Sequence, residues 1–483
     1  MKMIKMALLG GAALAVTAAG AQADDLDALK AQIEALNTRV AAMEATPAVP
    51  AGYSLLTISE GATPQVPGLG MTNSERAAFG EKATIISVMP TADAPAGTTI
   101  TWSGFARAGL VYGSTDSDVT ASYRDENGDL VLDINDDPIL DASTSADDDD
   151  IDVRARGQLR VVASTDTAVG EVGVEIRMRA NFNGNGDGDV YSDVAWGYWA
   201  MTPELTFGGG YAGSLGNIGY GYDGACTCHY TDNADLAFNP GDVSQMRLSY
   251  ASGPFSMALA LEDASLRDGT LGGGDAANGD RLGAAGEIKY SGDMFSGEIS
   301  GVWRDIDEDT IWGGDAPYHV AESLWQVGIG VGFALGDIAN LSLAAAMGEG
   351  PFATVNEGVL ETNDITGNYN QSWWGVSALA SMNLSDEIHA ELAAGYKERD
   401  GDSFTFDTDF DDNFRTSGAD YETYGVLAGI YYTPVDQLTI GVEGEWYTVD
   451  TTLDATDQDD GDTISYDSSS DTFSVDLVSV WRF

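Results

Sequence analysis

From Thr99 to Phe483 one pattern governs the chain. Stretches of about 8 to 15 residues alternate apolar with small or polar side chains, and the connections between them are by turns tight and long. A period of two sends successive side chains to opposite faces of a strand. In 169–182 one face carries Val172, Val174, Ile176, Met178 and Phe182, the other Glu171, Glu175, Arg177, Arg179 and Asn181. In 322–334 Trp325, Val327, Ile329, Val331 and Phe333 oppose Gln326, Gly328, Gly330 and Gly332. In 438–449 Leu438, Ile440, Val442 and Trp446 oppose Thr439, Glu443 and Glu445. A soluble β-sandwich alternates too, but leaves loop length free at both ends. Strict exchange of long and short connections is what an up-and-down barrel crossing a membrane requires. Lipid offers no hydrogen bonds, so such a sheet must close on itself.

The pattern predicts strands at 99–112, 151–165, 169–182, 190–201, 205–213, 245–252, 255–262 and 281–290 in the first half. The second half adds 294–304, 322–334, 340–348, 370–383, 388–397, 421–433, 438–449 and 471–483. The fold class is therefore all-β: a transmembrane antiparallel up-and-down barrel of about sixteen strands, an even number that puts both chain ends on one side. The tight turns carry Gly, Pro, Asp or Ser where a reversal needs them, as in Ser252-Gly253-Pro254, Leu335-Gly336-Asp337 and Pro434-Val435-Asp436. Aromatic residues gather near strand ends, namely Trp102, Tyr112, Tyr198, Trp199, Tyr431, Tyr432, Trp446 and Trp481, as in interfacial girdles.

Ahead of the repeats the chain changes character. Lys2 and Lys5, the apolar run Met6 to Ala19 and Ala21-Gln22-Ala23 predict a secretory signal peptide over 1–23, with the mature chain starting near Asp24. Residues 24–46 place Leu26, Leu29, Ile33, Leu36, Val40 and Met43 at alternating spacings of three and four, an a/d seam. The seam reads as a short periplasmic coiled-coil helix that ties subunits together; a helix laid on its own domain is the alternative. Pro47 and Pro50 end it. Residues 47–98 form a linker in which Tyr53–Ile58 and Ala83–Val88 have strand character between interrupting prolines. The barrel domain spans 99–483.

Composition excludes several functions. Asp+Glu total 77 against 22 Lys+Arg, a net charge of −55, which speaks against nucleic-acid binding. The acid lies largely in blocks such as Asp147–Asp150, Asp407–Asp412 and Asp457–Asp462, which read as solvated loops. His229, His319 and His389 are the only histidines, and no Ser-His-Asp set or metal triad has a recognisable spacing, so no enzyme is expected. No apolar run after residue 23 is long enough for a membrane helix.

The chain ends Val480-Trp481-Arg482-Phe483, with Trp481 and Phe483 on one face of the last strand. This ending resembles the signal read by the outer-membrane barrel assembly machinery. Further pieces are Ser103-Gly104-Phe105-Ala106-Arg107-Ala108-Gly109, Asp152-Val153-Arg154-Ala155-Arg156-Gly157, Asp166-Thr167-Ala168-Val169-Gly170-Glu171 and Trp196-Gly197-Tyr198-Trp199-Ala200-Met201-Thr202-Pro203. In their order and spacing, over roughly 99–483, the chain resembles the trimeric outer-membrane porins of alphaproteobacterial type. The resemblance implies a homotrimer in the cell outer membrane among lipid and lipopolysaccharide. Each subunit would form a water-filled channel for passive diffusion of ions and small hydrophilic solutes.

Arg107, Arg154, Arg156, Arg160, Arg177 and Arg179 share the polar face of three predicted strands, where lipid would be costly, and are expected to line water as a basic wall. The alternative is pairing with Glu171, Glu175 and Asp152 to hold the wall together. After the fifth strand comes Ser214 to Ser244, which in the resembled family folds inward; its Asp223, Asp232, Asp235 and Asp242 are expected to face the arginines across a constriction. Cys226 and Cys228 in this loop leave open a local disulfide, free thiols or, with His229, a metal site. Asp125, Asn127 and Asp129 follow half of a calcium loop, and the Asn183–Gly188 stretch another, so Ca2+ or Mg2+ at the acidic outer loops is a secondary expectation beside plain solvation. The acidic mouth and basic wall oppose each other, with a slight lean toward cations. A solute-specific pore for anions or sugars is the alternative function.

Overall fold

Sixteen strands close into one antiparallel barrel. The computed structural model describes residues 56–88, 97–131, 138, 140–183, 190–218, 228–230, 238, 240–263, 282–305, 323–336, 338–349, 372–400, 404–407, 413–457 and 461–483. The expected signal peptide and coiled-coil seam lie outside these residues. The strands are β1 Leu56–Ala62, β2 Lys82–Val88, β3 Thr98–Arg124, β4 Asp141–Thr167, β5 Gly170–Asn183, β6 Val190–Ala200 and β7 Leu205–Gly213. They continue with β8 Asp242–Ser252, β9 Phe255–Asp263, β10 Leu282–Ser291, β11 Phe295–Asp305, β12 Ser323–Leu335 and β13 Ala339–Glu349. The last are β14 Ser372–Asn383, β15 Ile388–Asp400, β16 Phe404–Asp407, β17 Asn413–Val435, β18 Leu438–Asp457 and β19 Thr463–Arg482. Among the described residues one short helix, α1, spans Asn73–Phe79.

Neighbours in sequence pair from β3 to β15, β15 pairs β17, and β17 continues through β18 to β19. The barrel closes where β19 pairs β3, from Arg482↔Phe105 at the tight-turn end to Thr463↔Arg124 at the other. The count of sixteen matches the expectation, and β1, β2 and β16 are additions to the barrel. β16 pairs with the outer part of β17. The described residues belong to one compact unit, Leu56–Met89 with Ala94–Phe483.

The burial pattern is inverted relative to a water-soluble protein. Val172, Val174, Ile176, Met178 and Phe182 are each 37–46 % exposed, while Glu175, Arg177, Glu443 and Asp476 are sealed inside. Period two explains both faces: the apolar set forms the outer belt and the polar set the lumen wall. It also corrects the girdle. Trp199, Tyr432, Trp102 and Trp481 are exposed, but Tyr198 and Tyr431 are buried, because neighbouring residues in a strand cannot share a face.

Two expectations about connections change. The acidic stretch 113–150, expected as a solvated loop, is mostly ladder: β3 and β4 stay paired out to Ser122↔Asp141. Asp147–Asp150 are therefore strand residues. Ser and Thr alternating with Asp support the extension, through side-chain bonds such as Thr115 to Thr472 at 3.3 Å and Ser117 to Ser470 at 3.1 Å. β17, β18 and β19 are likewise prolonged. In the linker, the two stretches of strand character become a hairpin. β1 and β2 pair from Leu56↔Val88 to Ala62↔Lys82, and β2 pairs the start of β3 from Val88↔Thr98 to Thr84↔Trp102.

Candidate channel interior

Among the described residues, two segments enter the barrel. The first joins β7 to β8. Its described residues run along the lumen wall, held at each step by a side chain from a strand. Ser214 donates to Glu262 at 2.8 Å, and the N–H of Leu215 donates to the same carboxylate at 3.2 Å. Ser300 donates to the Asn217 carbonyl at 2.9 Å, and Gln326 to the Gly216 carbonyl at 2.8 Å. Phe238 stacks on Trp373 with ring centroids 5.9 Å apart. The small inner face of β12 and β14 makes room for this seat: a Cβ on Gly328 would lie 2.4 Å from Ile218, and one on Gly375 2.7 Å from Phe238.

Farther along, the N–H groups of His229 and Tyr230 donate to the two oxygens of Glu443 at 2.7 and 2.9 Å. The Tyr431 hydroxyl donates to Glu443 at 2.9 Å. Tyr230 lies under the Arg107 guanidinium, 4.4 Å from its ring centroid. Burial, with the nearby positive charges of Arg107, Arg482 and Arg156, pushes the His229 imidazole well below its usual pKa, so it is neutral at pH 7.

The second segment, 63–81, joins β1 to β2 and contains α1. Thr72 caps α1: the Glu75 N–H donates to its hydroxyl at 2.9 Å, and the Thr72 N–H donates to Glu75 Oε2 at 3.2 Å, a capping box. Val66 is buried with Val162, Val194, Trp196, Tyr198 and Ala212 of the inner wall. Met71, Ala78 and Phe79 are buried with Phe105 and Val480.

The six arginines of the expected basic wall share the inner face but differ in surroundings. Arg160 makes a two-pronged contact with Glu175, Nε to Oε1 at 2.7 Å and Nη2 to Oε2 at 2.8 Å. Arg177 reaches Glu175 at 2.5 Å and Glu75 at 2.6 Å. Arg179 pairs with Asp193 at 2.9 Å, and Arg156 donates to Asn181 at 2.6 Å. Arg154 lies 3.6 Å from Asp152 and is the most exposed of those with an ion pair. Segment 63–81 covers Arg160 and Arg177, so at those two positions the wall faces protein instead of water. Two sequence signals bear on this cover: Val162, Val194, Trp196 and Tyr198 are apolar residues on a lumen face, and the Thr72-x-x-Glu75 box marks a helix start in a linker.

Other expected site residues fall as follows. Asp223, Asp232, Asp235 and Cys226 lie outside the described residues. Asp242 begins β8 and is exposed on the face it shares with Met246 and Leu248, so it does not look across the lumen as expected; parity within the strand fixes this. Cys228 is buried and disulfide-bonded. Asp125 accepts from the N–H groups of Asn127 and Asp129, both at 2.9 Å, closing the hairpin tip on itself. Those hydrogen bonds, Asp129's first, hold its carboxyl below the usual range. Among the described residues no group of three or more His, Cys, Asp or Glu is arranged to hold a metal ion. Trp481 and Phe483 are both exposed, and the Phe483 N–H donates to the Gly104 carbonyl at 3.1 Å.

Among solved structures, the chain is similar to the outer membrane channel DcaP of Acinetobacter baumannii, at 14 % identity and TM-score 0.45, over 82 % of this chain and 99 % of that one. It is similar to an anion-selective porin from Comamonas acidovorans, at 11 % identity and TM-score 0.44, over 80 % of this chain and 100 % of that one. No curated protein matches the chain. The sequence model of the porin subfamily matches residues 97–474, nearly the whole barrel, and the chain belongs to that family.

Proposed function

We propose that the chain is a general-diffusion porin of the outer membrane, passing ions and small hydrophilic solutes through a constriction made by the β7–β8 connection. The observation that carries this reading is the seating of that connection inside a barrel whose outer belt is apolar. Glu262 holds its start and Glu443 its tip. Arg107, Arg154 and Arg156 lie on the wall near Tyr230, and the connection brings Asp223, Asp232 and Asp235 in sequence. Opposed charges beside a narrow water column give a transverse field that favours small polar solutes. Arg160 and Arg177 are already neutralised, which supports general diffusion over an arginine ladder for one anion.

On the same reading the heptad seam 26–43 joins three copies on the periplasmic side, and Trp481 with Phe483 address the barrel to its assembly machinery. Ca2+ or Mg2+ bridging the acidic long-connection end to lipopolysaccharide belongs to this reading as well. The test is planar-bilayer recording of the purified mature protein. Discrete current steps that phosphate, sugars and dicarboxylates do not compete are expected. Absence of steps refutes a channel, and competition by one solute refutes general diffusion. Arg154→Ala with Arg156→Ala, and Asp232→Ala with Asp235→Ala, should shift selectivity in opposite directions.

A further inference from the structure

We propose that segment 63–81 is a fixed luminal insert that narrows the channel on the tight-turn side, and that Glu75 on it sets the balance between anions and cations. The proposal rests on the channel reading and goes beyond it, since it assigns a second constriction outside the β7–β8 connection.

Three independent features hold the insert in place. Its apolar residues bury a patch of lumen wall that would otherwise meet water: Val66 covers Val162, Val194 and Trp196, and Phe79 packs edge-on against Phe105 with centroids 5.1 Å apart. Arginines from four strands donate to its carbonyl groups: Arg160 to Pro64 at 2.8 Å, Arg247 to Gly68 at 2.7 Å, Arg177 to Gly70 at 3.0 Å and Arg482 to Ala77 at 2.6 Å. Finally, the Glu75 carboxylate sits against Arg177 at 2.6 Å and Arg179 at 3.7 Å. A segment with apolar contacts, backbone acceptors and an ion pair all matched to one wall is built to stay there.

The cover leaves open space on its other side. A cavity of about 1080 Å³ lies between the insert and the opposite wall, lined in part by Glu60, Arg76, Lys82, His389, Tyr431 and Asp436. Local charge fixes the sign of the selectivity effect. Arg160, Arg177 and Arg179 contribute three positive charges; Glu175, Asp193 and Glu75 contribute three negative ones. Glu75 is therefore the charge that brings this cluster to zero, and it comes from the insert and not from the barrel.

The experiment is single-channel recording in a KCl gradient for three proteins: wild type, Glu75→Gln, and a variant in which 63–81 is replaced by a short Gly-Ser turn. Ala62 and Lys82 are already register partners, so the hairpin can close directly. Glu75→Gln should shift the reversal potential toward anions. A change of about half of kT in local potential, small beside the several kT that pore charges generate, alters the anion-to-cation ratio roughly threefold. Replacement of the insert should enlarge the current step, on the order of twofold, by widening the path. Folding is checked by heat-modifiable migration in gels. Should either variant not fold, Asn73→Cys treated with a charged thiol reagent replaces it, and a changed current is expected. A wild-type current that folded variants and the labelled cysteine leave unaltered overturns this proposal alone. A wild type that carries no current overturns the channel reading together with it.

Discussion

Removing the Glu443 carboxylate should release the tip of the β7–β8 connection. The side chain is fully buried on β18 and accepts from two backbone N–H groups and one hydroxyl. In Glu443→Ala the N–H groups of His229 and Tyr230 lose their acceptor, and each buried unmet donor costs about 1–3 kcal/mol. The docked loop is then destabilised by about 2–6 kcal/mol. At about 1.4 kcal/mol per tenfold, the undocked population rises at least roughly 25-fold. Tyr431→Phe is the control, since it removes one donor while both N–H groups keep their acceptor; about 1 kcal/mol is expected there. Bilayer recording should show rapid flicker and a larger mean step for Glu443→Ala, and nearly wild-type traces for Tyr431→Phe. A folded Glu443→Ala channel with wild-type step size and noise would refute the argument that this carboxylate holds the constriction.

Three further outcomes follow from the same geometry. Burial raises the Glu75 carboxyl, but Arg177 and then Arg179 lower it more, so it titrates below its ordinary value of 4.5. A depressed folded pKa means the ion pair is present above 4.5 and is lost as pH falls further; the difference in reversal potential between wild type and Glu75→Gln should persist at pH above 4.5 and disappear only as pH falls below it. Arg160→Met leaves Glu175 with one partner fewer in a sealed site, and breaking a buried pair costs about 3–5 kcal/mol; the temperature of heat modification should fall clearly, and no change would count against the network's role. Asp116 and Asp147 stand directly opposite on β3 and β4, and repulsion from Asp116, then Asp149, raises the Asp147 carboxyl. Asp147→Asn should therefore raise thermal stability at low salt, with the gain vanishing at high salt, and equal stability at every salt would show the repulsion to be irrelevant.

The barrel was legible because parity is a local property. Val172, Val174 and Ile176 mark the lipid side without reference to any distant residue, and the tight turns fix where each strand reverses. The outer extensions were less legible, since Ser, Thr and Asp in alternation suit both a solvated loop and a hydrated ladder; the pairing of three long strands decides between them. The luminal insert could not be placed from sequence, because its contacts reach from Glu75 to Arg177 and from Arg482 to Ala77, across more than a hundred and four hundred residues. Tyr198 suits a girdle by its position near a strand end, yet it lies with Trp196 on the inner face, and the two are the imprint of a cover.

Position, not total charge, decides what a permeating ion meets. The net charge of −55 suggests a strongly cation-attracting channel. Part of the acid, however, sits on β3, β4, β18 and β19 beyond the aromatic level, with Asp116, Asp118, Asp147 and Asp471 among it. From Tyr112 to Arg124 the chain adds twelve residues, roughly 40 Å of strand at about 3.4 Å each. That is several times the Debye length of about 8 Å at physiological salt, so charges near the tip are screened from the lumen. Inside, Arg160, Arg177 and Arg179 are matched by carboxylates within salt-bridge distance, and the residual field is set by single charges. Acid at the mouth therefore concentrates cations at the entrance, while the sign and steepness of selectivity are decided deeper, where one carboxylate more or less changes the sum.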